Sequence, residues 1–160
     1  DRSIYQDIKA ELRTQVFNYI PPFKTALLSF GIDYSVFRKI AESAKESNDY
    51  DYIIIDADSC FDEEKTRLIS LADHVLIITE QSEQQVYNTN MLMNNINNNM
   101  SDKYLFICNK YDSHKDGYER TEGITYKIDE YVDKMEEYSR MKFEDWGQQD
   151  GIKKVAFLMI

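Results

Sequence analysis

Asp51-Tyr52-Ile53-Ile54-Ile55-Asp56-Ala57-Asp58 and Tyr104-Leu105-Phe106-Ile107-Cys108-Asn109-Lys110-Tyr111-Asp112 are short apolar runs that break off into polar and charged residues. Buried parallel strands have this form, because both faces are covered while the carboxyl ends open onto a site. Together the two runs predict a nucleotide-handling α/β domain. No glycine-rich phosphate loop occurs in the 160 residues, so the phosphate grip of such a site is not part of this sequence.

Working outward, the length fits one α/β domain spanning 1–160 with a substantial core. Apolar residues make up 42% of the chain, which excludes a disordered tail. The formal net charge is −10 and is spread along the chain. A free-standing nucleic-acid binder gains most of its affinity from a basic face, and an anionic lipid surface asks for the same. The sequence shows no such face, so neither nucleic acid nor membrane is an expected direct partner. Cys60 and Cys108 are the only cysteines, and with His74 and His114 they show no zinc-ligand spacing. They read as buried or half-buried thiols of a cytoplasmic protein. No signal peptide and no apolar run of membrane-spanning length is present. Asp1 is not a start methionine and Val155–Ile160 stops without a polar exit, which suggests a piece of a larger nucleotide-binding protein.

Along the chain, Ile4, Ile8 and Leu12 suggest an opening helix. Val16–Ile20 suggests a strand stopped by Pro21-Pro22, since proline cannot donate to a ladder. A helical turn is expected around Thr25 to Phe30. Asp33 can cap a helix carrying Val36, Phe37, Ile40, Ala41 and Ala44, which ends at Ser47-Asn48-Asp49. A strand over Tyr52–Asp56, a helix started by Asp62 and a strand over Val75–Thr79 follow. Ser82 and Gln85 form a possible capping box for a helix with Val86, Met93, Ile96 and Met100, which frays into an asparagine cluster. After the Tyr104–Cys108 strand and a polar loop over Tyr111–Glu122, the residues Ile124, Ile128, Tyr131, Val132, Met135 and Tyr138 give a helical stripe. Ile152–Ile160 reads as a last strand. This alternation predicts a mostly parallel sheet with helices on both faces. Ligands of such sheets bind at the strands' carboxyl ends: Pro21-Pro22, Asp56–Cys60, Thr79–Ser82 and Asn109–Asp112.

Asp56 and Asp58 lie two apart at one such end. Carboxylates there can hold a hard cation, directly or through water, or can simply face solvent and cap the next helix. Asn109-Lys110-Tyr111-Asp112 spells Asn-Lys-x-Asp after a strand. An asparagine amide donates and accepts at once, which suits a purine edge, and the Asp112 carboxylate can accept from a ring N–H or exocyclic amine. The Lys110 stem can lie along the ring. The same four residues could also form an ordinary polar turn. Thr79-Glu80-Gln81-Ser82 precedes a helix N-terminus, where free N–H groups favour an anion or are merely capped.

In order and wording these segments resemble the MinD/ParA group of deviant-Walker P-loop ATPases, from about Val16 to Ile160 without the variable 111–141 region. In that group a run like Tyr50–Asp56 ends in the magnesium-associated aspartate of the Walker B-like switch. The proline that normally follows is missing at Ala57-Asp58-Ser59. Ala72–Thr79 resembles the family's next strand, and Asn109 matches the asparagine that contacts adenine. Val16–Pro22 resembles the CpaE/TadZ-like pilus-assembly branch. The family's Walker A loop, with its signature lysine, would lie before Asp1. The resemblance implies a bacterial P-loop NTPase-like switch used in division, partition or pilus machinery. It also implies a homodimer with protein partners, recruited through them to the membrane or cell pole. ATP and Mg²⁺ are expected only for the full-length protein, with Asn109, Lys110 and Asp112 as nucleotide-binding residues and Asp56 and Asp58 at the metal. Without the phosphate loop these residues are expected to be inactive alone. Asn-Lys-x-Asp is also the guanine-reading pattern of GTPases, so ATP and GTP both stay open. A non-catalytic localisation or assembly scaffold with the same fold is the alternative. A receiver-like phosphoacceptor domain, using Asp56, Thr79 and Lys110, ranks below both.

Overall fold

The computed structural model describes residues 2–22, 29, 31–33, 35–58, 62–96, 102–115, 117, 122–135 and 140–160, with backbone alone at 2, 3 and 143. The Thr25–Leu28 part of the expected helical turn, Cys60, Met100 and Tyr138 lie outside the described residues. The chain divides into two compact units, Asp1–Ala72 and Asp73–Ile160.

The first unit holds helices α1 (Arg2–Lys9), α2 (Ser35–Ser47) and α3 (Glu63–Leu71) and a small hairpin, β1 (Arg13–Thr14) with β2 (Asn18–Tyr19). Helix α2 starts as expected: the Asp33 carboxylate accepts from the Ser35 N–H at 2.7 Å, which satisfies a donor that the helix leaves unpaired. Its face buries Ile40, Ala41, Ser43 and Ala44, and Asn48, in the left-handed region at φ 54°, turns the chain out of it. Helix α1 packs on α2 and buries Tyr5, whose hydroxyl donates to Asp49 at 3.0 Å. Asp62 caps α3 by accepting from the Lys65 N–H at 2.8 Å. Arg38 ties α2 to α3 by donating to Glu64 at 3.1 Å, and donates to Glu42 of its own helix at 2.8 Å.

Two expectations fail in this unit. Val16–Ile20 is strand only over Asn18–Tyr19, in a two-stranded hairpin and not in the parallel sheet. Residues 15–17 reverse the chain, Asn18–Tyr19 pairs antiparallel with Arg13–Thr14, and Val16 is 77% exposed. Tyr52–Asp56 is not a buried strand either. It has no ladder partner among the described residues and Ile54 is 89% exposed. A parallel strand exists only through hydrogen bonds to its neighbours, so an apolar run without them stays an unpaired segment.

The second unit is the α/β part: a three-stranded parallel sheet in the order β3 (Val75–Thr79), β4 (Tyr104–Tyr111), β5 (Glu130–Asp133), with helices α4 (Glu83–Asn95), α5 (Phe143–Trp146) and α6 (Asp150–Leu158). Val75 pairs with Tyr104 and Thr79 with Cys108, so the two strands start side by side and β4 runs on past the end of β3 to Tyr111. Ser82 caps α4 by accepting from Gln85 N–H at 3.4 Å. The core gathers Ile77, Met93, Phe106 and Tyr126, with the rings of Phe106 and Tyr126 stacked at 4.9 Å. Cys108 is fully buried, as expected for a structural thiol.

The last two elements exchange types relative to the sequence reading. The stripe from Ile124 is no helix: burial alternates from Ile124 through Tyr126 and Ile128, and Glu130–Asp133 joins the sheet. Ile152–Ile160 is no strand: Asp150–Leu158 is helix α6, packed on β5. Among the described residues no helix is long and apolar enough to cross a membrane.

Candidate functional site

The carboxyl ends of β3 and β4 collect the polar residues singled out in the sequence. Strand β4 runs through Asn109 and Lys110 to Tyr111, three residues beyond the expected end. The extension contains a bulge: Cys108 pairs with Tyr131 and Tyr111 with Asp133, so β4 carries one residue more than β5 between those pairs. Lys110 takes up the excess in the left-handed region, at φ 53°, which a lysine adopts only when its surroundings impose it. Asn-Lys-x-Asp is therefore the bulged end of a strand rather than a free turn.

Two side chains from the end of β3 hold this segment. The Lys110 ammonium donates to the Glu80 carboxylate at 2.5 Å. The Gln81 carboxamide accepts from the Asp112 N–H at 2.7 Å and donates to the Asp112 carbonyl at 3.3 Å. On the far side, Lys134 N–H donates to the Tyr111 carbonyl at 2.8 Å. The Asp112 carboxylate accepts from His114 N–H at 3.1 Å and lies 3.7 Å from the Lys115 ammonium. Asn109 is half-buried, and none of the described residues hydrogen-bonds its carboxamide. A separate cleft of about 270 Å³, lined by none of these residues, opens at the end of β5 between Val132-Asp133 and Gln149-Asp150-Gly151 at the start of α6.

Thr79 differs in kind. It is 1% exposed, and its hydroxyl hydrogen-bonds that of Thr89 at 3.0 Å, so it serves packing of α4 on β3. Glu80 and Gln81 fall in the strand-end segment that the sequence marks for an anion or for helix capping, but nothing in that reading foresees them as partners of Lys110 and Asp112. Their signal was their place at the end of the strand beside β4.

Asp56 and Asp58 belong to the first unit, where both are exposed. Asp58 forms an ion pair with Lys65, which leads from the extended run into the first turn of α3. Among the described residues no three His, Cys, Asp or Glu side chains converge as a metal cage would. Two carboxylates fit a different case, a Mg²⁺ delivered with its own phosphate ligands, since that ion usually takes only one or two protein carboxylates. Compared with protein-family models and with curated proteins, the chain matches none.

Proposed function

We propose that this chain is the base-side part of a MinD/ParA-like, ATP-binding switch protein with a P-loop-type sheet flanked by helices, acting in intracellular positioning or assembly. The observation that carries the reading is the polar ledge at the carboxyl ends of two parallel strands. There Asn109–Asp112 stands beside Glu80-Gln81, and none of the described residues hydrogen-bonds the Asn109 amide. Asn109 would read the base edge, Asp112 would accept from its N–H groups after parting from Lys115, and the Lys110 stem would cover the ring. The family resemblance makes Asp56 and Asp58 of the first unit the candidate Mg²⁺ carboxylates. What that ion supplies is charge neutralisation on the phosphates.

The test is calorimetry with Mg-ATP on a protein in which a Gly-Lys-Ser/Thr loop precedes Asp1. Asn109→Ala should weaken binding about tenfold, the worth of one good hydrogen bond left unmade. Equal affinity in both proteins removes Asn109 from the site. The 160 residues alone should neither hydrolyse ATP nor bind it tightly, and turnover by them would place the phosphate site wrongly. A second reading, a non-catalytic assembly scaffold, is favoured by the exposed Tyr52–Ile55 run, because large exposed apolar segments mark interaction surfaces. The burial of Thr79 against Thr89 speaks against the receiver-like reading, which needs that hydroxyl free to follow a phosphorylated aspartate.

A further inference from the structure

We propose that Glu80 and Gln81 are positioning residues that hold Asn109–Asp112 in the one backbone conformation able to read a purine base. This inference rests on the nucleotide reading above and adds the elements that enforce it. The regular ladder between β3 and β4 stops at Thr79 and Cys108. Beyond it the bulge carries the β4 backbone out of register, and an unsupported segment there would sample many conformations.

The Gln81 carboxamide replaces the missing ladder step. Its oxygen and nitrogen face the N–H and C=O of Asp112 as a peptide group would, at 2.7 and 3.3 Å. Glu80 supplies the second anchor, on the Lys110 ammonium at 2.5 Å. The left-handed residue Lys110 carries the Glu80 anchor on its own side chain, the Gln81 anchor holds Asp112 two residues on, and the Lys134 N–H, just past β5, fixes the Tyr111 carbonyl between them. An unfavoured backbone geometry persists only where neighbours determine it from several sides, and sites that must present side chains in fixed relation are where such strain is kept. Asn109 and Asp112 flank the strained residue. Their separation, and so the spacing of amide and carboxylate along a base edge, is set by the geometry that Glu80 and Gln81 enforce. The ligand class is a purine nucleoside. A carboxylate only accepts, so it favours edges that present N–H donors, and the amide completes either an adenine or a guanine edge.

The experiment titrates the ¹⁵N-labelled 160-residue chain with adenosine and with guanosine at millimolar concentration, following amide shifts by NMR. Gln81→Ala should raise the nucleoside Kd about tenfold and speed exchange of the Asp112 amide, while the cross-peaks of Thr79 and Cys108 stay in place. It should also bring the ratio of adenosine to guanosine affinities towards one, which a general loosening of the sheet would not do. Glu80→Gln has the same shape and removes only a surface ion pair, so it serves if Gln81→Ala unfolds the sheet. It should move the same ratio in the same direction. Binding by the wild type with Kd and ratio unchanged in both variants overturns the positioning role and leaves the nucleotide reading standing. No binding of either nucleoside by the wild type overturns the reading itself, and the positioning role with it.

Discussion

Gly151 has no substitute at its position. A Cβ built there would lie 2.6 Å from the Tyr131 carbonyl oxygen and 3.0 Å from the Val132 Cα, both backbone atoms of β5 that cannot swing aside. Alanine is the better helix former by about 1 kcal/mol, yet forcing α6 off the strand costs about 1–3 kcal/mol beyond that gain. Gly151→Ala should therefore lower the urea midpoint. Gly147→Ala, whose Cβ would meet nothing closer than 4.0 Å, should leave it unchanged or raise it slightly. Equal effects of the two substitutions would show that the close approach of α6 to β5 does not exist. At this scale the sequence was legible where one side chain answers a local need, as with Asp33, Asp62 and Ser82 at helix starts. It was not legible at Lys110, because the left-handed turn there is imposed by β5 and by Glu80 and Gln81, and lysine itself carries no signal for it.

Elements were legible to the extent that their apolar spacing fits one period. Val75–Thr79 and Tyr104–Cys108 are unbroken runs dominated by β-branched and aromatic residues, and both are strands. Ile124, Ile128 and Val132 lie four apart, a spacing that belongs to two turns of pleat as well as to a helical stripe, and pairing with β4 decided for the pleat. Ile152, Val155 and Met159, half-buried at i, i+3 and i+7, mark the helical face of a segment whose run of apolar residues imitates a strand. The packing of α1 on the end of α2 makes a prediction about pH. Asp49 accepts from Lys9 at 2.7 Å and from Tyr5 at 3.0 Å, and these bonds hold its carboxyl below the usual aspartate range. Its folded value is lower than its unfolded one, so its contribution is present above the unfolded value, about 3.9, and is lost as pH falls through the folded value. The same bond raises Lys9, whose contribution is lost only as pH climbs through its raised folded value. Lys9→Met should thus lower the urea midpoint at pH 7, by a small amount because the pair is open to solvent, and the gap from wild type should close in strong acid. A gap that never closes as the solution is acidified would mean that Lys9 acts through packing and not through Asp49.

For the whole molecule, the stretch that decided the α/β reading is also the one whose burial was misjudged. The isoleucines of Tyr52–Ile55 give a strand's composition, but whether a strand is buried depends on neighbours that lie elsewhere in sequence, which no local pattern reports. The surface therefore combines an exposed apolar run with a formal net charge of −10. The two oppose each other in association. Apolar exposure favours contact between copies, while Asp51, Asp56 and Asp58 at the flanks act as charged guards. Parallel pairing of two copies in register would stack Asp51 on Asp51 and Asp56 on Asp56. The antiparallel register centred between Ile53 and Ile54 would set Asp51 against Asp56, and like charges in facing positions are destabilising. Salt shortens the range of this repulsion, from about 10 Å at 0.1 M to about 3 Å at 1 M, and leaves the apolar attraction in force. The mass measured by light scattering should accordingly rise between low salt and about 1 M salt. Ile54→Lys removes the most exposed isoleucine and leaves the flanking acids in place, so it should keep the mass at that of one chain across the range. Association that weakens as salt is added would show that ion pairs, not the isoleucine run, join the copies, and unchanged association in Ile54→Lys would place the contact elsewhere on the surface.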